Sequence, residues 1–229
     1  MGTVKHCNKL IKVASGQYIK LIAADDAFYS DTIISVFVNY FISTESYVVA
    51  SKAAVYDKDL NNYLSILPED ESLQSLLNLE PKKFYREMAK GCKIPAPAVC
   101  FNRKYFEEYG YFSEKYFIVE DWPTWLSMLR NGIKIDFIDF ISVKYRSEIG
   151  TSNQGIIDAK KSPIFEKDYY KIIENEILPY KKLLGTVLWR KLKYLYVTEH
   201  KWDKLSSVGR ILFYLAYVDI FIGKKIVGR

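Results

Sequence analysis

The first two thirds of the chain alternate between apolar runs and helical periodicities. Residues 18–24 form an apolar run that ends at an acidic pair, as a buried strand does, and residues 31–42 predict a helix with Ser30 as its N-cap. Residues 47–56 are rich in β-branched and aromatic side chains and predict a second strand, although two alanines weaken it. These elements predict a strand, turn and helix unit.

The next segments continue this alternation after an interruption. Residues 57–80 are polar and contain a proline, so they predict a surface excursion with one short helix. Residues 81–90 predict a helix with proline in its first turn, residues 98–102 a strand, and residues 103–109 a short helix that Gly110 stops.

The pattern is clearest between residues 120 and 146. Asp121 suits the N-cap of a helix, and Asn131 and Gly132 suit its C-terminal stop. Residues 133–140 and 141–145 then predict two strands.

After residue 150 the pattern changes to long helical stretches separated by prolines. We therefore predict an α/β domain over residues 1–150, with a mixed sheet flanked by helices, and a helical, basic C-terminal region over residues 151–229.

Composition narrows the class of protein. The chain has 229 residues, of which 49% are hydrophobic and 16% aromatic, which is ample for a buried core. Cys7, Cys92 and Cys100 are odd in number and widely spaced, so neither a disulfide framework nor a zinc site is indicated. His6 and His200 are the only histidines, which excludes a histidine-rich metal centre.

The net charge of +6 is unevenly distributed. Residues 181–229 carry eleven Lys or Arg against three Asp or Glu, a net +8, and leave −2 for the rest of the chain. A basic, aromatic region favours an anionic partner, and a membrane surface is the first candidate; a packed helical subdomain is the alternative. No nucleic-acid motif accompanies the charge, and the longest apolar stretch, residues 211–223, is too short to span a bilayer.

Two acidic motifs carry the candidate chemistry. The first is Ala23-Ala24-Asp25-Asp26, where one carboxylate would take a divalent cation and the other a sugar hydroxyl. Few protein oxygens would leave positions on the cation open for a diphosphate. The alternative is that the two aspartates only cap the following helix.

The second motif is Glu120-Asp121-Trp122. A carboxylate within reach of an acceptor hydroxyl can remove its proton, and Glu120 and the nearby aromatic residues would raise the pKa of that carboxyl. Trp122 would offer a face to an acceptor sugar ring. The alternative is that Asp121 is a plain N-cap and that the tryptophans belong to the core.

Several segments of the chain match one family in order. They are residues 8–26 (NKLIKVASGQYIKLIAADD), 94–98 (IPAPA), 109–113 (YGYFS), 119–122 (VEDW), 131–135 (NGIKI) and 143–146 (VKYR). The first of them resembles the stretch that carries the D-x-D-type motif of family 2 glycosyltransferases of the GT-A fold, and the others follow in the order that this family uses.

The resemblance implies an inverting transfer of a sugar from a nucleotide-sugar donor, such as a UDP-sugar, to a glycan or lipid-linked acceptor. It implies that Asp26 ligates Mg or Mn, that Asp25 lies by the donor ribose or the metal shell, and that Asp121 is the general base. Many relatives have a further Asp where Ala23 stands here. The implied setting is polysaccharide or surface-glycan synthesis, as in bacteria.

The start of the chain departs from the family pattern. Residues 1–5 resemble an internal position of the family, so the N-terminal nucleotide-binding half is expected to be missing and the GT-A-like sheet to be incomplete. A sheet without its first strands exposes an edge, which a homodimer or another chain would cover.

Two function classes therefore stay open. One is a glycosyltransferase, or its acceptor-side part; the other is a non-catalytic, truncated GT-A-like module that binds a partner protein, a glycan or a membrane. The cysteine usage and the charge favour a cytoplasmic location, with peripheral attachment to the inner face of the plasma membrane as an extension.

Overall fold

The computed structural model describes residues 1–69, 76, 79–147 and 162–220. The chain divides into two compact units, Met1–Tyr169 and Tyr170–Arg229. The boundary predicted near residue 150 lies outside the described residues and stays a prediction.

The first unit combines strands and helices in the described ranges. Its strands are β1 (Tyr18–Lys20), β2 (Ala27–Phe28), β3 (Val48–Tyr56), β4 (Tyr63–Leu67), β5 (Val99–Asn102) and β6 (Asp136–Arg146). Its helices are α1 (Thr3–Val13), α2 (Ile33–Ser43), α3 (Pro81–Met88), α4 (Arg103–Tyr109) and α5 (Asp121–Arg130), and α6 (Pro163–Ile172) runs across the division between the units.

The strands form one mixed sheet in the order β1-β5-β3-β6-β2. Among the described strands, β4 pairs only with β3, along the second half of β3, whereas β5 pairs with the first half. Strand β3 is parallel to β6 and antiparallel to β4 and β5, while β1 and β2 pair antiparallel with β5 and β6. This confirms the predicted mixed sheet flanked by helices. The outermost strands have three and two residues, so each presents a short edge. The predicted homodimer stays a prediction.

The core explains why β3 tolerates its alanines. Ala53 and Ala54 are fully buried, and Ala53 packs with Ala98 and Val143 in a small apolar cluster. At the start of the same strand, Val49 joins Phe37 and Phe41 of α2 in an apolar cluster. Strand β3 is therefore the centre of the first unit.

Two strand predictions were wrong in extent. The strands predicted at 133–140 and 141–145 are a single strand, β6. Its register against β3 shifts on either side of Lys52. These irregularities interrupt the alternation of apolar and polar side chains by which a continuous strand is predicted from sequence. Within the predicted surface excursion at 57–80, residues 63–67 form β4, which pairs with β3. The sequence of β4, YLSIL, is apolar but short, and its first three side chains are exposed.

The predicted cap of α2 also shifts. Helix α2 begins at Ile33 behind Thr32, and Ser30 contacts the Thr32 hydroxyl at 2.9 Å instead of capping the helix. Residues 31 and 32 form a turn, which delays the helix by two residues.

The second unit confirms the predicted helical C-terminal region. Its described helices are α7 (Lys181–Leu184), α8 (Thr186–Tyr196) and α9 (Ser207–Ala216), with π-helical turns at Ile173–Ile177 and Val197–Lys201. A search of the described residues for a helix long and apolar enough to cross a bilayer finds none.

Helix α1 is tied to the loop after α4 by a buried amide. The Asn8 side chain donates to the Phe112 carbonyl at 2.9 Å and accepts from the Phe112 N–H at 3.0 Å. A single side chain thus satisfies both backbone groups of a buried residue.

We predict that Asn8→Leu lowers the free energy of unfolding by about 2–4 kcal/mol, because it leaves a buried N–H and a buried C=O unpaired. Lys9→Leu, at the exposed neighbouring position, is the control and should change stability little. Urea denaturation of both variants checks this. Equal stabilities would contradict the bridging role of Asn8.

Candidate active site

The first acidic motif lies in a turn rather than on a strand. Strand β1 ends at Lys20, and the Asp26 N–H donates to the Ala23 carbonyl at 3.1 Å to close the turn. The predicted strand over residues 18–24 is therefore too long. Its partner β5 begins at Val99, and the residues before it form a 3₁₀ turn that contains Pro97, so no strand is available beside residues 22–24.

Arg146, the last residue of β6, holds this turn. Its backbone N–H donates to Asp26 Oδ1 at 2.9 Å, and its Nε donates to the Asp25 carbonyl at 2.7 Å. Its Nη1 donates to the Lys58 carbonyl at 2.9 Å, in the loop that follows β3. One side chain therefore joins the acidic turn to the carboxyl ends of the parallel strands β3 and β6.

Within the described part of the chain, one carboxylate oxygen of Asp26 lacks a hydrogen-bond partner. Its Oδ2 is buried and has no hydrogen-bond partner among the described residues. Burial raises the pKa of Asp26 to about 6, against the lowering effect of the hydrogen bond from Arg146. A buried carboxylate oxygen without a partner is costly unless something binds it.

A partly buried lysine lies near this carboxylate and was not anticipated from the sequence. The Lys20 ammonium donates to the Pro97 carbonyl. Burial lowers the pKa of Lys20 to about 8, while Cys100 and Asp26 act in the opposite direction. Its charge places a positive group in the neighbourhood of the acidic turn.

The second motif opens α5, as predicted. The helix begins at Asp121 itself, with Glu120 in the preceding position, so Asp121 is the first helical residue rather than the N-cap. Asp121 Oδ1 accepts from the Trp122 N–H at 2.7 Å, and Asp121 Oδ2 accepts a weak 3.7 Å hydrogen bond from the Cys92 thiol.

Burial is the main cause of the raised pKa values of Glu120 and Asp121. It raises the pKa of Asp121, and burial together with the Asp121 charge raises the pKa of Glu120. The thiol of Cys92, a solvent-exposed residue, serves as a donor to the Asp121 carboxylate. Adjacent carboxyls with raised pKa values are typical of acid–base sites.

Both motifs line the same cleft. It has a volume of about 640 Å³, and its walls include Asp25, Asp26, Glu120, Asp121, Trp122 and Arg146. The fold therefore brings together every residue that the sequence singled out, although the two motifs are separated by about a hundred positions. The roles of these residues stay predictions.

Among these residues of the cleft, Trp122 makes contacts that are mainly structural. Its side chain is 5% exposed, its Nε1 donates to the Met88 carbonyl at 2.7 Å, and its ring lies 5.4 Å from that of Tyr169. These contacts fasten α5 to α3 and leave little of the indole face free. Contact with an acceptor sugar stays a prediction.

Asp168 positions the second motif and was missed by sequence reasoning. Its buried Oδ2 accepts from the N–H groups of Phe117, Ile118 and Val119 at 2.7, 2.7 and 3.2 Å. These three residues lead directly into Glu120. No sequence signal marks Asp168, because an aspartate inside a helix is ordinarily a solvated side chain.

The donor set suits a divalent cation that binds together with a diphosphate. The described residues contain no group of three or more His, Cys, Asp or Glu placed to hold a metal by themselves. Mg²⁺ commonly binds one or two carboxylates and completes its shell with substrate phosphates and water. The unpartnered Oδ2 of Asp26 fits such a site.

Comparison with known proteins finds glycosyltransferases. An uncharacterized glycosyltransferase of Rickettsia conorii is 22% identical over 170 residues, which is 73% of this chain and 27% of that protein. The Escherichia coli enzyme WfaP, a UDP-Glc:alpha-D-GlcNAc-diphosphoundecaprenol beta-1,3-glucosyltransferase, is 26% identical over 144 residues, which is 63% of this chain and 51% of that protein. The chain thus spans about half or less of these curated relatives. No protein-family profile matches it.

Solved structures of S. aureus TarS are also similar. The TarS 1–349 complexes with UDP-GlcNAc and with UDP align with TM-scores of 0.49 and 0.48 at 13% identity. The alignments cover 86% of this chain and 61% and 60% of those chains.

We predict that Glu120→Gln stabilises the protein increasingly as pH rises from 5 to 8. The folded-state pKa of Glu120 lies above its unfolded value, so the wild type loses stability as pH rises between the two values, and glutamine does not titrate. Thermal unfolding at several pH values checks this, with the exposed Glu107→Gln as control. A stability difference that does not vary with pH would contradict it.

A second variant tests whether Asp168 stabilises the segment that leads into Glu120. Asp168→Ala should lower the free energy of unfolding by about 3 kcal/mol, since three backbone N–H groups lose a charged acceptor. Lys167→Ala, exposed on the same helix, should have little effect in the same urea titration. Loss of less than about 1 kcal/mol in Asp168→Ala would show that water replaces the carboxylate.

Proposed function

We propose that this chain is a glycosyltransferase of family 2, or the acceptor-side part of one, which transfers a sugar from a nucleotide-sugar donor to a hydroxyl with inversion. The observation that carries the proposal is the convergence of Asp25, Asp26 and Asp121 on one cleft. A helix cap would explain either motif alone, but it gives no reason for the two to share a cavity.

On the donor side, Asp26 would hold Mg²⁺ or Mn²⁺ and Asp25 would contact the donor ribose or the metal shell. Support comes from the buried, unpartnered Oδ2 of Asp26 and from Arg146, which keeps Oδ1 occupied and the turn in place. When bound, the cation supplies positive charge that neutralises the departing diphosphate. Lys20 adds a protein charge near the same carboxylate.

On the acceptor side, Asp121 would act as the general base. It takes the proton from the acceptor hydroxyl, the oxygen forms a bond to the anomeric carbon, and the bond to the nucleoside diphosphate breaks on the opposite face. A carboxyl whose pKa is raised by burial is a better base near neutral pH than an ordinary aspartate. Glu120 and Trp122 would border the acceptor on this wall of the cleft.

One of the two relatives supports a lipid-linked acceptor. WfaP is named for a UDP-glucose donor and a diphosphoundecaprenol-linked acceptor. We therefore propose a UDP-sugar as donor and a lipid-linked glycan as acceptor, with polysaccharide synthesis as the setting. Both relatives are named as glycosyltransferases, which does not favour the non-catalytic alternative.

The experiment is calorimetric titration of UDP into the wild type with and without Mn²⁺. We expect cation-dependent binding that Asp26→Asn weakens at least about tenfold, because it removes the charge that would hold the cation. Glu107→Gln removes an exposed carboxylate of the same unit and should leave binding unchanged. Asp121→Asn should bind UDP like the wild type and lose transfer to a diphospholipid-linked glycan.

The outcomes separate the alternatives. Equal UDP binding by Asp26→Asn and the wild type would remove Asp26 from the donor site. Absence of any UDP binding by the wild type would favour the non-catalytic module. Transfer activity retained by Asp121→Asn would show that another group is the base.

A further inference from the structure

The second unit contains a helix that is apolar on two sides. Helix α9 packs inward through Phe213, whose ring stacks on that of Tyr194 at 5.6 Å, and through the buried Tyr217 just beyond its end. Arg190 of α8 secures the end of α9 by donating to the Ala216 carbonyl and pairing with Asp219, each at 2.8 Å. One side of the helix therefore packs on the rest of the second unit.

The opposite side presents four aliphatic residues to solvent. Val208, Ile211, Leu212 and Leu215 are 66%, 60%, 61% and 68% exposed. Their spacing of three, four and seven positions places them on one stripe of the helix, which we call the outer face of α9. A contiguous aliphatic stripe on a helix marks a surface that another apolar phase covers.

The net charge of the sequence from residue 170 onward indicates the kind of partner. From residue 170 onward the chain carries twelve Lys or Arg against five Asp or Glu, a net +7. A second copy of the chain would bring two such units together and is disfavoured by like charge. An anionic lipid surface offers both an apolar layer and the complementary charge.

We propose that the outer face of α9 lies in the interface of an anionic membrane, with its axis parallel to the surface. An amphipathic helix in this position buries its apolar stripe among the acyl chains while basic side chains reach the headgroups. The ring of Trp202 packs against that of Tyr214, with centroids 5.0 Å apart, and tryptophan and tyrosine are favoured at headgroup level. This proposal is independent of the sugar transfer proposed above.

The test is sedimentation of the full chain with vesicles of phosphatidylcholine alone and of phosphatidylcholine with phosphatidylglycerol. We expect binding to the anionic vesicles that weakens in high salt, and at least about tenfold weaker binding by the double variant Ile211→Ser and Leu215→Ser. The control is Val13→Ser with Ile42→Ser, two aliphatic residues that are each 72% exposed in the first unit. The control should bind like the wild type.

Three results would overturn the proposal. One is equal vesicle binding by the wild type and the double variant. Another is a large fall in the melting temperature of the double variant, which would show that the protein itself covers the outer face of α9. The last is a wild-type dimer in analytical ultracentrifugation that the double variant abolishes, which would identify a second copy as the occupant.

Discussion

The pairing of β6 with β3 is the constraint on which the rest of the site depends. The two strands are parallel and end together, so Arg146 at the end of β6 reaches both the loop after β3 and the acidic turn after β1. Without this register, the Asp25 carbonyl and Asp26 Oδ1 would have no common donor. The hydrogen bonds of Arg146 are local in space but join segments about 120 residues apart in sequence.

The cleft concentrates groups that are unfavourable for folding. Asp26 has a buried oxygen without a partner, and Glu120 and Asp121 are adjacent carboxyls with raised pKa values. The surrounding scaffold compensates through Asp168, which ties down the chain before Glu120, and through Trp122, which fastens α5 to α3. A concentration of such unfavourable groups in one cavity is typical of functional sites.

The two units use surface in different ways. The first collects acidic groups in a concave site, while the second combines a net positive charge with the outer face of α9. The functions proposed for them concern different partners, a nucleotide sugar with its acceptor for the first unit and a lipid surface for the second.

The sequence by itself determined the residue types of the site, the order of the main elements and the helical C-terminal region, because these depend on local periodicity and on stop signals such as Gly110. It did not determine the end of β1, the continuity of β6 or the existence of β4, since each depends on which strand lies alongside. The parts played by Arg146 and Asp168 were likewise decided by tertiary structure. Their partners lie far away in sequence, and only folding selects which backbone groups a charged side chain meets.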